Sequence, residues 1–363
     1  MFAYIVRRLA LIPLTLFGIM VVNFIIVQVA PGGPVERMIA QIKGTAVDAT
    51  ARISGTGQGE LGQGGGKAGA GETATGKYRG ARGLDPDLIK DIEKQFGFDK
   101  PPLERFVQMM GQYLVFDFGD SFFRDQSVLS LVIDKLPVSI SLGLWTTLII
   151  YMISIPLGVA KAVRDGQSFD IWSSAVIIIG YAIPGFLFAI LLVVLFAGGS
   201  FLDWFPLRGL TSPDWETMSW PKKIADYFWH IALPVLSLVI GGFAGLTMLT
   251  KNSFMEEIHK QYVITARSKG LEENRILYGH VFRNAMLIVV AGFPSALMDV
   301  LFTGALLVEI IFSLDGLGLL GFEAVVNRDY PVMFGTLFAF TLLGLVFNLI
   351  SDVMYHIIDP RID

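Results

Sequence analysis

Cysteine is absent from all 363 residues. That excludes disulfides, thiolate metal sites, cysteine nucleophiles and lipid anchors on sulfur. Histidine occurs only at 230, 259, 280 and 356, and no two share the i, i+4 spacing of a helical metal site. Charge is scarce as well: Asp, Glu, Lys and Arg make up 17% of the chain, against roughly 25% in soluble proteins. The formal net charge is −4, so the basic excess of a nucleic-acid-binding protein is missing and no such partner is expected. Side chains able to hold a metal or cofactor are scattered, and none is expected.

Apolar residues are plentiful instead. They reach 53% of the chain, with 28 Phe and a mean hydropathy of +0.60. A spanning helix needs about 20 mainly apolar residues to cross a hydrocarbon core of about 30 Å. Six stretches qualify, near 9–30, 136–160, 171–197, 228–250, 285–312 and 331–358. The expected fold is therefore an all-α polytopic membrane protein with six transmembrane helices. Pro156, Pro184, Pro234 and Pro294 fall inside four of the spans. Neighbouring helices satisfy the carbonyls such prolines release, so bends rather than breaks are expected. The first span follows Arg7 and Arg8 but is too long for a signal peptide, and Pro31 suits no cleavage site; a retained helix is expected.

Lys and Arg in short loops set orientation. With the N-terminus inside, the inner pieces hold eleven and the short outer loops four, so both termini are expected in the cytoplasm. Three regions follow: the helix in 1–30, an outer segment 31–135, and a five-helix core 136–363 with an inner loop at 251–284.

The outer segment contains a tract, 55–83, with twelve glycines in 29 residues, too poor in large apolar groups to fold, so a flexible insert is expected. Gly71 to Lys77 begins a phosphate-loop pattern, but Tyr78 stands where a hydroxyl would bind Mg²⁺, and neither the strand nor the helix of that motif is expected around it. Beyond the tract, Asp85-Pro86 reads as a helix cap and Gly97 as its stop, with a second amphipathic stretch from Leu103 to Val115. Shielding and contact with an external partner are both open roles for this helical subdomain.

The inner loop is the most informative stretch. Both halves have helical composition, separated by Gly270, a natural helix stop. On the first half Ile258, Tyr262, Ala266 and Lys269 share one side, where small Ala266 would admit another surface. The six basic residues across the whole loop would also suit anionic headgroups.

The run Tyr262-Val-Ile-Thr265-Ala266-Arg267-Ser-Lys269-Gly270, followed by Ile276, His280, Arg283-Asn284 and Ala285, resembles the signature loop of ABC importer permeases of the dipeptide and oligopeptide class, B-type subunit. Further blocks extend the resemblance over nearly the whole chain: Tyr4 to Leu9, Ala30 to Pro34, Phe118-Gly119-Asp-Ser121, Val308-Glu309 to Phe312, Arg328-Asp329-Tyr-Pro331, and Asp359-Pro360-Arg361. The long insert is similar to the branch that handles peptides and peptide-like antibiotics of the microcin C type. This resemblance implies that Tyr262, Thr265, Ala266, Arg267, Lys269, Gly270, His280, Arg283 and Asn284 serve coupling to cytoplasmic ATPase subunits. It also implies a second permease in a heterodimer, a periplasmic substrate-binding protein, a peptide substrate, ATP and Mg²⁺ held by the partners alone, and an inner-membrane location.

Acids inside spans are expensive and usually face a cavity or a partner. Asp299 is a candidate on the pathway or, equally, a neutral acid bonded to a neighbouring helix; Glu309 is a candidate at the outer gate, packed on the turn of Gly316 to Gly321. Two rivals of other classes are an ATP-independent channel or ion-coupled transporter, which usually has related halves, and a membrane-embedded enzyme, which would need clustered catalytic groups.

Overall fold

Four of the six apolar runs lie in long continuous helices, whereas 171–197 and 285–312 are each divided among shorter ones. The computed structural model describes residues 2–30, 32–43, 85–198, 201–302 and 306–358; the glycine tract 55–83 lies outside them. Among the described residues the chain is helical, with one isolated bridge between Asp120 and Ser127. In order, the helices are α1 (Phe2–Val29), α2 (Pro34–Ile42), α3 (Pro86–Gln95), α4 (Pro102–Tyr113), α5 (Val128–Val163), α6 (Ser168–Ala182), α7 (Gly185–Phe196) and α8 (Trp220–Ile258). They continue as α9 (Gln261–Ser268), α10 (Glu273–Ile276), α11 (Phe282–Ala291), α12 (Phe293–Phe302), α13 (Leu306–Ile311), α14 (Leu317–Asn327) and α15 (Tyr330–Ile358). Among the described residues five helical stretches are long and apolar enough to cross a membrane, and six if α6 and α7 count as one bent span.

The prolines behave differently from one another. Pro156 and Pro234 sit inside the unbroken α5 and α8. Pro184 separates α6 from α7, which are bent by 88°. Proline pushes the residue before it out of the helical region, and Ile183 is extended, at φ −85° and ψ 116°. The expected single bend near 184 is thus a full break.

The chain divides into two units. The first comprises Met1–Ala10, Leu136–Gly318 and Leu343–Asp363. Within it α5 and α8 meet at a seam of small residues, which let backbones approach closely. A Cβ on Gly158 would lie 2.6 Å from Thr250 Cβ and 2.8 Å from the Thr247 carbonyl, so only glycine fits. Ser154 donates to the Phe243 carbonyl at 3.0 Å one turn away.

At one end of that seam Lys161, completely buried, pairs with Asp170 Oδ1 at 2.8 Å and donates to the Asp170 carbonyl at 2.9 Å and to the hydroxyls of Ser173 and Ser174. Lys251 bridges Asp170 Oδ2 at 2.8 Å and Asp165 at 2.7 Å. Two ammonium groups therefore share one buried carboxylate, tying the end of α5, the start of α6 and the C-terminal part of α8. Near the start of α8, Asp226 accepts from the Ser212 backbone and hydroxyl at 2.9 and 2.5 Å. His230 Nδ1 turns to the Asp226 carbonyl at 2.8 Å. Since the serine hydroxyl is bonded to the carboxylate, this trio fastens a loop and has no nucleophile.

The second unit comprises Leu11–Lys135 and Leu319–Leu342. Asp85 caps α3 by accepting from Asp87 N at 3.0 Å, and Gly97 ends it with φ +70°, both as the sequence predicts. Two stretches some 200 residues apart meet here: Asp329 accepts from the Ser121 hydroxyl and, at 3.1 Å, from Phe122 N. Arg124 pairs with Glu323, and Arg37 donates to Asn327 at 2.7 Å. Rings of Tyr113, Phe118 and Phe338 pack together beside them.

Candidate coupling site and buried acid

The loop 251–284 contains less loop than the sequence suggests. Residues 251–258 continue α8, which ends at the His259 cap; Lys260 is extended and α9 starts afresh at Gln261. No glycine or proline marks this break. Glu257 organises it: its carboxylate pairs with Lys260 at 2.5 Å and accepts from the Tyr262 hydroxyl at 2.8 Å. The carboxylate raises the Lys260 ammonium above its ordinary value. Burial pushes the Tyr262 hydroxyl up, against a hydrogen bond with Asn284 that pulls it down.

α9 ends where Gly270 takes φ +78°. Gly270 N donates to the Arg267 carbonyl at 2.9 Å and Leu271 N to the Ala266 carbonyl at 3.3 Å. That pair of bonds is the glycine-dependent helix ending called a Schellman motif. Arg267 then grips Glu273 with two bonds, 2.7 and 3.1 Å, which raises the guanidinium further. α9 is thus pinned to the chain that follows it.

Its faces correct one expectation. Val263 and Ala266 are buried in a cluster with Val159, Ala162, Phe254, Ile276, Val281, Ala285, Met286 and Val289. Tyr262 and Ile258 are half-buried against the same cluster. The small side chain at 266 therefore serves packing inside this chain, and the side it shares with Ile258 and Tyr262 is already covered. Spacing identified a face without telling what lies on it. The outward stripe is Gln261, Ile264, Thr265, Ser268 and Lys269, with Ile264 52% exposed.

The second half of the loop is also not a plain helix. After the single turn of α10, Leu277–Val281 form a π-helical turn leading into α11. Such turns widen a helix locally and are frequent at functional sites. His280, Arg283 and Asn284 are exposed along it. Nothing in the hydropathy pattern signals it, because that pattern does not register one extra residue in a turn.

Glu309 lies on α13 and is fully buried. Its carboxylate fills the space beside Gly316 and Gly318, where added Cβ atoms would come within 2.3 and 3.2 Å. Gly321 makes no such approach. Asp299 falls on α12, and its side chain lies outside the described residues. Asp352, near the end of α15, pairs with Arg8 at 3.0 Å. Sequence reasoning missed Lys161 and Lys251, which it counted as loop charges; a hint was available only for Lys161, which stands just before an acid-bearing turn.

Apolar helices bent or broken mid-course, with a buried acid among glycines, define a multi-pass membrane protein. The chain belongs to the family described as the binding-protein-dependent transport system inner membrane component, which matches residues 154–363. It is 63% identical to the peptidoglycan transport system permease protein YejB of Agrobacterium fabrum, over 99% of this chain and 98% of that one. It is 59% identical to the inner membrane ABC transporter permease protein YejB of Escherichia coli O157:H7, with the same coverage. The oligopeptide transport system permease protein AppB of Bacillus subtilis is 31% identical, aligned along the whole of both chains. A solved chain of the MetNI methionine ABC transporter aligns at 15% identity and a TM-score of 0.49 over 63% of this chain and 97% of that one. The protein is accordingly a permease subunit of an ABC transporter, multi-pass in an inner membrane.

Proposed function

We propose that this chain imports peptides or peptide-like compounds by alternating access, coupled through α9 to ATPase subunits in the cytoplasm. The cargo class is supported by the relatives named for peptidoglycan and oligopeptide transport. Both termini lie in the cytoplasm by the loop-charge argument. A second permease completes the pathway, a periplasmic binding protein delivers cargo, and ATP and Mg²⁺ are held by the ATPase subunits, so this chain is non-catalytic and carries no cofactor of its own.

One observation carries the reading: α9 is held from behind and open in front. Val263 and Ala266 lock its inner side, Gly270 and the Arg267–Glu273 pair fix its end, and Ile264, Thr265 and Lys269 remain outward. A helix fastened this way transmits a load instead of rolling under it. ATP-driven closure of the ATPase pair pulls α9, and the bundle shifts between inward- and outward-open populations according to the affinity of each ligand for each state. His280, Arg283 and Asn284 support the same contact from the widened turn, and Glu309 holds the outer gate. Asp299 lines the pathway, a role that rests on its being an acid within a span.

Uptake in proteoliposomes tests this. Peptide accumulation is expected only with ATPase subunits and ATP present, and crosslinks from Ile264→Cys should reach the ATPase chain. Uptake by this chain alone would establish the channel or ion-coupled reading instead.

A further inference from the structure

We propose that α4 lies flat in the membrane interface, with Leu103, Val107 and Leu114 immersed in lipid, in the leaflet where α1 ends and α15 begins. The inference rests on the chain's spanning a bilayer and is independent of its cargo.

Three stripes run along α4. Phe106 and Tyr113 face the protein: Phe106 packs on Phe17 and Phe24 of α1 at 6.0 and 5.1 Å, and buried Tyr113 packs on Phe338 of α15 at 5.4 Å. Glu104, Gln108 and Gln112, at i, i+4 and i+8, are exposed and polar. Leu103, Val107 and Leu114, at i, i+4 and i+11, are exposed and apolar, by 75, 62 and 78%. A helix in water needs one apolar stripe, directed at its core. This one has a second, next to a polar stripe, which is the pattern of a helix lying at a lipid boundary.

The contacts set its depth. Phe24 is five residues inside the end of α1, and Phe338 eight residues inside the start of α15. At 1.5 Å per residue those anchors lie about 8 and 12 Å below the span ends, and Phe17, twelve residues inside the end of α1, about 18 Å below; the shallowest is at the depth of about 5–10 Å to which interfacial helices bury their apolar face. α1, on which α4 packs, is itself apolar and open, since Leu14, Val22, Ile25 and Ile26 are all about half exposed or more. Beyond α4, Leu114, Val115 and Phe116 expose three consecutive large apolar groups. Phe116 does so in the left-handed region, φ +58°, which aromatic residues rarely adopt. Acyl chains account for that exposure; water does not.

The absence of cysteine makes the test direct. Single substitutions Leu103→Cys, Val107→Cys, Leu114→Cys, Glu104→Cys, Gln108→Cys and Gln112→Cys would each be spin-labelled in the full chain. The label is read in vesicles of phosphatidylethanolamine and phosphatidylglycerol, with the subunits that co-purify. All six side chains are exposed, so labelling leaves the packing intact. Collision with oxygen relative to a water-soluble nickel chelate should exceed one at 103, 107 and 114 and fall below one at 104, 108 and 112. Ratios below one at all six positions would mean water covers the apolar stripe. Shielding of 103, 107 and 114 from both reagents would mean a protein does. Either result overturns the proposal.

Discussion

The carboxylate of Glu309 occupies the volume that a side chain at residue 316 would need. A Cβ built on Gly316 would stand 2.3 Å from Oε1 and 2.5 Å from Cδ. Because Glu309 is completely buried, it has nowhere to retreat. Gly316→Ala should therefore destabilise the purified complex by about 1–3 kcal/mol, the range for overpacking. Gly321→Ala, which meets nothing within 4 Å, should leave thermal stability unchanged. Equal melting of the two variants would show that the 309–316 contact yields freely.

Gly270 poses a conformational requirement rather than a steric one, since nothing lies within 4 Å of it. At φ +78° a β-branched residue costs about 1–3 kcal/mol, comparable with what holds a two-turn helix in place. Gly270→Val should abolish co-purification of ATPase subunits while the chain still inserts in the membrane. Gly270→Asn should retain them, because asparagine tolerates the left-handed region. Pull-down from solubilised membranes reads both, and full recovery with valine would dissociate the helix ending from coupling.

The inner ion cluster predicts an order of severity. Asp170→Asn leaves the ammonium of Lys161 buried with hydroxyls and carbonyls alone, and losing one partner of a buried pair costs about 3–5 kcal/mol. Lys251→Met is milder, because Asp170 keeps Lys161 and the half-exposed Asp165 is solvated. Thermal denaturation in detergent should rank wild type above Lys251→Met and both above Asp170→Asn. The reverse order would show that Lys161 is not the member that depends on the carboxylate.

Asp329 supplies a pH dependence. Burial holds its carboxyl above the ordinary aspartate value, outweighing the bonds from Ser121 and Phe122. Between that ordinary value, about 4, and the raised one, the folded protein binds more protons at this site than the unfolded chain. Its contribution to stability is thus greatest at low pH and falls as pH rises through that window. Denaturation of the wild type at a series of mildly acidic pH values should show that slope, and Asp329→Asn should flatten it. Parallel slopes would assign the dependence to other groups.

How far the sequence could be read depended on whether a feature was local. Hydropathy revealed the spans, and the Asp85 cap and the stops at Gly97 and Gly270 were legible because each needs only a few neighbouring residues. Three prolines show the limit: Pro156 and Pro234 ride within continuous helices while Pro184 parts two of them, and the difference lies in what surrounds each. Asp170 and Lys251 are 81 residues apart, so their pairing left no local trace. For Ala266, periodicity assigned a side of the helix, but the covering residues, such as Val159 and Met286, come from elsewhere in the chain. The roles of the outward residues at 264, 265 and 269 depend on partner chains and could not be read from this one.

The length of α8 has a mechanical corollary. Its 39 residues extend about 58 Å at 1.5 Å each, nearly twice the hydrocarbon thickness. Asp226 and Ser212 moor the beam near its start, and Lys251 near its finish. Between the moorings, Gly241 and Gly245 leave open space where a side chain would stand, and Pro234 removes one backbone donor. Under the proposed coupling, a tug delivered just past Ile258 would be taken up there as flexure, as in a sprung lever rather than a swinging door.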